Sequence, residues 1–228
     1  MPSTAPDRIE EGRAEQVRVD HVLRRVGQDV ETQLRVDRSI ASGIDRTAIE
    51  DNSSLLLLVW PGPTNLRSYV LGTSYSEIIA TTSVPVLIAA LHDDIETHPN
   101  VALVAHNVMP GTAPSISLGV QIARTLSGKD HPLVVGPAAS EAIAALGIQL
   151  PDHSEHREGT DILSWINANT DPGDLVILPF VGVALRPVAE QIYNSGRSLL
   201  AIAHNPGSSS ALAGSTMSLP TRATVNPT

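Results

Sequence analysis

The sequence predicts an α/β architecture built on a parallel sheet, arranged as one partial and one complete unit in tandem. Three observations carry that expectation. Runs such as Leu55–Trp60 and Val84–Leu91 have strand length and are apolar at nearly every position, as strands covered on both faces are. Segments with apolar residues at helical spacing lie between such runs, the alternation of βα units. A polar stretch without periodicity, His92–Asn100, separates two such series.

The elements follow in order. Residues 1–10 read as a flexible lead, and residues 11–91 as the partial unit. Val17, Val22, Leu23 and Val26 give a helix over Arg13–Val26, with Gly27 where a C-cap falls. Val30–Val36 alternates apolar and polar residues, as a half-buried strand does. Ser39 can cap a helix running to Asp51, with Ile40, Gly43, Ile44, Thr47 and Ala48 on one face. Strand Leu55–Trp60, a glycine loop, a helix over Thr73–Thr82 and strand Val84–Leu91 complete the unit.

Residues 92–100 read as a linker, and residues 101–205 as the complete unit. Its strands are expected at Val101–His106, Pro132–Gly136, Ile148–Leu150, Asp174–Phe180 and Leu199–His204. Its helices are expected at Ala113–Leu126, Ser140–Leu146, Thr160–Ala168 and Ala184–Asn194. Residues 206–228 are rich in Ser, Gly, Thr, Pro and Ala, a composition expected to be disordered. The first unit holds only the later part of the second unit's order and lacks two strands and a helix. A parallel sheet needs both faces covered, so this half is expected to pair with its neighbour or to belong to a longer protein.

Bulk numbers narrow the function. An apolar fraction of 42% with 17% charged residues is that of a folded chain, and with 3% aromatics the cores must be aliphatic. A formal charge of −9 and a single lysine, Lys129, leave no basic stripe for nucleic acid. The absence of cysteine excludes disulfides, thiolate metal sites and cysteine nucleophiles. No run reaches the roughly 18–20 apolar residues of a membrane helix, and Met1–Asp7 lacks the pattern of a signal peptide. The segment is expected to be cytoplasmic, without direct insertion in a membrane.

The chemistry concentrates in Leu55-Leu-Leu-Leu-Val-Trp-Pro-Gly62 and in Gly72-Thr-Ser-Tyr-Ser-Glu-Ile-Ile-Ala-Thr-Thr-Ser-Val-Pro-Val-Leu-Ile88, nine residues further on. A strand, a glycine turn and a hydroxyl-rich helix start offer an anion site. Glycines admit a phosphate close to the backbone, and the first helical N–H groups point at it. Gly62, Gly72, Thr73, Ser74 and Ser76 are the candidate nucleotide-binding residues. The bland reading of the same residues is a turn followed by an ordinary capped helix.

The spacing Gly62-x9-Gly72-Thr73 resembles the phosphate loop of the universal stress protein family, whose fuller pattern is Gly-x2-Gly-x9-Gly-Ser/Thr. The first family glycine falls on Val59, a β-branched residue that stiffens the turn and crowds a ribose or phosphate. Residues 39–62 resemble the segment before that loop in cytoplasmic tails of bacterial cation/proton antiporters, where strand and turn read hydrophobic-Leu-Gly-Trp-x-Gly. Trp60 and Gly62 are kept. The match is good over residues 30–92 and holds only in element order over 100–205.

The resemblance implies a Rossmann-like universal stress protein fold and a regulatory tail that gates sodium or potassium exchange for protons. Its ligand would be ATP, AMP or cyclic di-AMP, and its partner the membrane transport domain of the same polypeptide. It also implies a homodimer in which the last strand of a unit pairs across a two-fold axis, with Val84–Leu91 and Leu199–His204 as the candidate edges. A stand-alone ATP-binding universal stress protein and a purely structural dimerisation module are the alternatives. The second unit departs further. Asn107 stands where ATP-binding members carry aspartate, and no Gly-Ser/Thr lies nine residues after Gly182. That unit is expected to pack rather than bind.

Asp152-His-Ser-Glu-His-Arg-Glu158 gathers two histidines and three acids, yet Pro151 and Gly159 flank it, and it reads as a solvated loop rather than a metal site. Trp60 and Trp165 read as packing residues. Gly-x-Ser-x-Gly, paired carboxylates and a complete Walker sequence do not occur, so the chain is not expected to be an enzyme. A histidine pH sensor would suit a proton-coupled partner, and the sequence does not single out which of the eight histidines would serve.

Overall fold

A computed structural model describes residues 10, 13, 37–60, 75–92, 99–106, 108–127, 132–180 and 185–203. The expected helix at Arg13–Val26, apart from Arg13 itself, the expected strand at Val30–Val36 and the tail after residue 205 lie outside them. The first part comprises α1 (Ile40–Glu50), β1 (Leu56–Val59), α2 (75–81) and β2 (Val86–Ala90). The second comprises β3 (Val101–Ala105), a 3-10 turn at Pro110–Thr112, α3 (Ala113–Leu126), β4 (Leu133–Pro137), α4 (Ser140–Ala145) and β5 (Ser154–His156). It continues through α5 (Ile162–Asn169), β6 (Leu175–Phe180), α6 (Leu185–Asn194) and β7 (Ser198–Ala203). No helix among the described residues is long and apolar enough to cross a membrane.

All seven strands join one sheet in the order β1-β2-β7-β6-β3-β4-β5. Within the second part the order β5-β4-β3-β6-β7 is that of a doubly wound, Rossmann-like sheet, parallel throughout. In the first part, β1 and β2 pair in parallel with α2 between them, the arrangement of β6, α6 and β7. The sheet is therefore largely parallel, with one exception: β2 and β7 meet antiparallel, in register from Val86↔Ala203 to Ala90↔Leu199. The two strands expected as free edges for pairing between copies thus pair with each other inside one chain.

Packing explains the joint. Large faces small at Val86↔Ala203, Ile88↔Ala201 and Ala90↔Leu199 on one face and at Ala89↔Leu200 on the other, so the side chains of the two strands fill each layer without crowding. One apolar layer holds Val86, Ile88, Leu199, Ala201, Val176 and Val104 beneath α1, α2, α5 and α6. The other holds Leu87, Leu200, Ile202, Ile177, Leu103 and Val135 beneath α3 and α4. Leu103, Ile177 and Ile202 are fully buried, and each such side chain contributes about 1.5–3 kcal/mol. Close approach is bought by glycine: a Cβ on Gly136 would meet the Arg157 carbonyl at 2.0 Å and the Trp165 ring at 2.7 Å.

Caps follow the sequence. Ser39 Oγ accepts from Ser42 N–H at 3.1 Å at the start of α1, and Asp161 accepts from Ser164 N–H at 2.8 Å at the start of α5. One expected strand is absent. Ile148 and Leu150 pack half-buried against the second layer without pairing, and the edge strand forms later, at Ser154–His156. An edge strand pairs on one side only, so polar Ser154-Glu-His156 suffices, and no apolar run announces it.

Candidate ligand loop and its frame

Of the candidate residues, Gly62, Gly72, Thr73 and Ser74 lie outside the described residues. Ser76 stands half-buried in the first part of α2. What the structure describes is the frame around residues 61–74. At the end of β1, Trp60 N–H donates to the Ala89 carbonyl of β2 at 2.8 Å. Across residues 61–74, Tyr75 at the start of α2 donates its hydroxyl to the Val59 carbonyl at 2.9 Å, tying the segment's two ends together. Burial pushes the Tyr75 phenol above its ordinary range. The Val59 side chain lies on the face opposite Leu58 and is 66% exposed.

The same end of the sheet brings in the second part. Because β7 runs against β2, the carboxyl ends of β1 and β2 stand beside the amino ends of β6 and β7. Trp60 meets Tyr193 of α6 edge-on, with ring centroids 5.5 Å apart. His92, just past β2, lies 5.4 Å from the same Tyr193 ring, and its backbone N–H donates to Ser198 Oγ at 2.9 Å. Three of the six Phe, Trp and Tyr residues in the chain, Trp60, Tyr75 and Tyr193, therefore gather around this end. Sequence reading found Trp60 as a packing residue but missed Tyr193 and the Tyr75 bond. Both depend on the antiparallel joint or on loop closure, which leave no local pattern.

Elsewhere the polar groups serve the fold. A cleft of about 330 Å³ between Asn100, Asp171, Asp174 and Gly196 is closed chemically by its own bonds. Asp174 accepts from Asn100 Nδ2 at 3.0 Å and from Asp171 N–H at 2.7 Å. Buried Arg197 donates to the Thr170 hydroxyl at 2.7 Å and to the Thr170 carbonyl, clasping the end of α5 to the start of β7. Beside α1, a depression of about 690 Å³ is lined by Asp37, Arg38, Ser42 and Arg46. There the Arg46 guanidinium lies 3.2 Å from Asp37, an ion-pair contact without hydrogen-bond geometry. His156 Nε2 lies 2.7 Å from the Ala138 carbonyl, and the described residues contain no cluster of three or more His, Asp or Glu groups suited to a metal.

Just past β3 and at the end of β6, His106 and Phe180 are described and half-buried. Asn107 and residues 181–184 lie outside the described residues. The Asp161 carboxyl nearby is held below its usual range, chiefly by the Ser164 N–H and hydroxyl, then by the Leu163 N–H and the charge of His106.

No protein-family model matches the chain, and no curated protein matches it.

Proposed function

We propose that the chain is a non-catalytic, nucleotide-responsive regulatory module of the kind carried as the cytoplasmic tail of cation/proton antiporters, built from universal-stress-protein-like units. The observation that supports the reading most is the β1–loop–α2–β2 order, with residues 61–74 leaving the carboxyl end of a parallel strand. In open α/β sheets that is the end at which ligands bind. Gly62, Gly72, Thr73, Ser74 and Ser76 would offer N–H and hydroxyl donors to phosphate oxygens of ATP, AMP or cyclic di-AMP. Trp60 and Tyr193 link the start of that loop to α6, so a ligand would be felt in both parts of the sheet. Regulation is then a population shift. The ligand favours one arrangement of the tail because it binds that arrangement more tightly.

Titration calorimetry with ATP, AMP and cyclic di-AMP tests this, with a Gly72→Val variant alongside. Binding by the wild type that the variant loses is the expected result. No heat with any of the three nucleotides, or equal binding by the variant, overturns the reading.

A further inference from the structure

The two tryptophans of the chain are placed in opposite ways. Trp165 is 3% exposed and packs against Gly136 and Gly159, and its indole N–H donates to the Arg157 carbonyl at 2.6 Å. Its polar edge is satisfied inside the fold. Trp60 is half-buried, and its indole N–H bonds to no described residue. Tyr193, which it meets edge-on, is the same case: half-buried, with a hydroxyl that bonds to no described residue. Indole and phenol donors that are taken up in a protein's packing ordinarily find a partner. These two stand open to solvent or to a ligand.

Their position is as specific as their chemistry. Among the described residues the fully covered core is aliphatic apart from Trp165, so further rings are not needed to fill it. Trp60, Tyr75 and Tyr193 instead stand half-buried against one apolar layer, at the end where residues 61–74 leave β1. His92, also half-buried, adds a fourth ring 5.4 Å from that of Tyr193. The Tyr75 hydroxyl is committed to the Val59 carbonyl, which leaves Trp60 and Tyr193 as the free ring donors of the group. A net charge of −9 repels a bare polyphosphate, so a ring subsite would supply affinity that charge does not.

We propose that Trp60, Tyr193 and His92 form the base subsite of the candidate loop, which takes a purine nucleotide rather than an inorganic polyphosphate. The inference rests on the reading of residues 61–74 as a phosphate loop. Aromatic side chains bind bases by stacking, because every base offers a π-face. A purine also presents ring nitrogens that accept hydrogen bonds, and the Trp60 indole and the Tyr193 hydroxyl are donors. Trp60 follows β1 and Tyr193 belongs to α6, so the base bridges the two parts of the sheet while the phosphates touch the first part alone.

ATP and tripolyphosphate carry the same three phosphates and differ in the nucleoside. Titration calorimetry with each, on the wild type, Trp60→Leu and Tyr193→Leu, separates the base from the phosphates, and circular dichroism checks that the variants fold. Each leucine should weaken ATP by about tenfold and leave tripolyphosphate unchanged. Saturating ATP should also quench wild-type fluorescence, and Trp60→Phe, which leaves only the buried Trp165, should abolish the quench. The quench is read on the wild type, so it decides even where a leucine variant does not fold. Folded variants that bind ATP as the wild type does, variants that weaken both ligands alike, or fluorescence unmoved at saturation overturn the base subsite and leave the loop reading standing. A wild type that binds neither ligand overturns both.

Discussion

Replacing Ile88 with alanine asks whether the two halves of the sheet fold as one body. Ile88 lies in β2, is 5% exposed, and faces Ala201 across the antiparallel joint. Removing three carbons forfeits about 2.4 kcal/mol at ~0.8 kcal/mol per methylene. The cavity left beside Ala201, which is too small to fill it, raises the loss to about 3 kcal/mol. For a chain of this size each kcal/mol moves the melting temperature by about 2–4 °C, so a fall of roughly 6–12 °C is expected.

The readout follows from the chain having only Trp60 and Trp165. In a Trp60→Phe background, fluorescence reports Trp165 alone, 3% exposed and set against Gly136 and Gly159 in the second part. If the joint couples the halves, Ile88→Ala lowers the Trp165 midpoint by the same amount as the midpoint seen by far-ultraviolet circular dichroism. A Trp165 transition that stays in place while circular dichroism shows an earlier partial loss refutes the coupling.

Two further outcomes are expected. Gly136→Ala forces a methyl group against the Arg157 carbonyl and the Trp165 ring. It should lower stability by about 3 kcal/mol, measured by urea unfolding. Asp161→Ala removes the cap of α5. The Asp161 pKa is lower folded than unfolded, so its contribution is present above the unfolded carboxylate pKa and is lost as pH falls through the folded one. Wild type and variant should therefore differ in melting temperature at neutral pH and converge in acid.

Much of the fold was legible because strands buried on both faces announce themselves. Val101–Ala105 and Leu175–Phe180 are apolar almost throughout, and Ala113–Leu126 begins and ends where its periodicity predicts. Ser39 was legible as a cap because its side chain acts within one turn. Ser154–His156 was not, because an edge strand takes its place from β4 rather than from its own composition. The strand expected at Ile148–Leu150 did not form, and Ile148 and Leu150 are instead half-buried against the second apolar layer without pairing. Nor could β2 and β7 be assigned to each other, since an apolar strand carries no mark of its neighbour's direction. Of the candidate site, only Ser76 and the frame residues fall where the structure describes them.

The antiparallel joint bears on the loop as much as on the fold. A two-stranded β1–α2–β2 half buries too little to stand alone, because a lone strand pair is marginal in water. Here β2 gains β7 as a second neighbour, and Ile88 and Leu87 are covered on both faces. That same pairing sets the amino ends of β6 and β7 beside the end of β1 and brings Tyr193 to Trp60. The second part thus holds the described residues that flank the loop, through the strand pair and through the Trp60–Tyr193–His92 contacts. A change that opened the joint would release the loop's frame at β2 and at Trp60 together. Stability of the joint and any function of the loop should therefore fail in the same variants, and surface changes on β5, at the far edge of the sheet, should leave both intact.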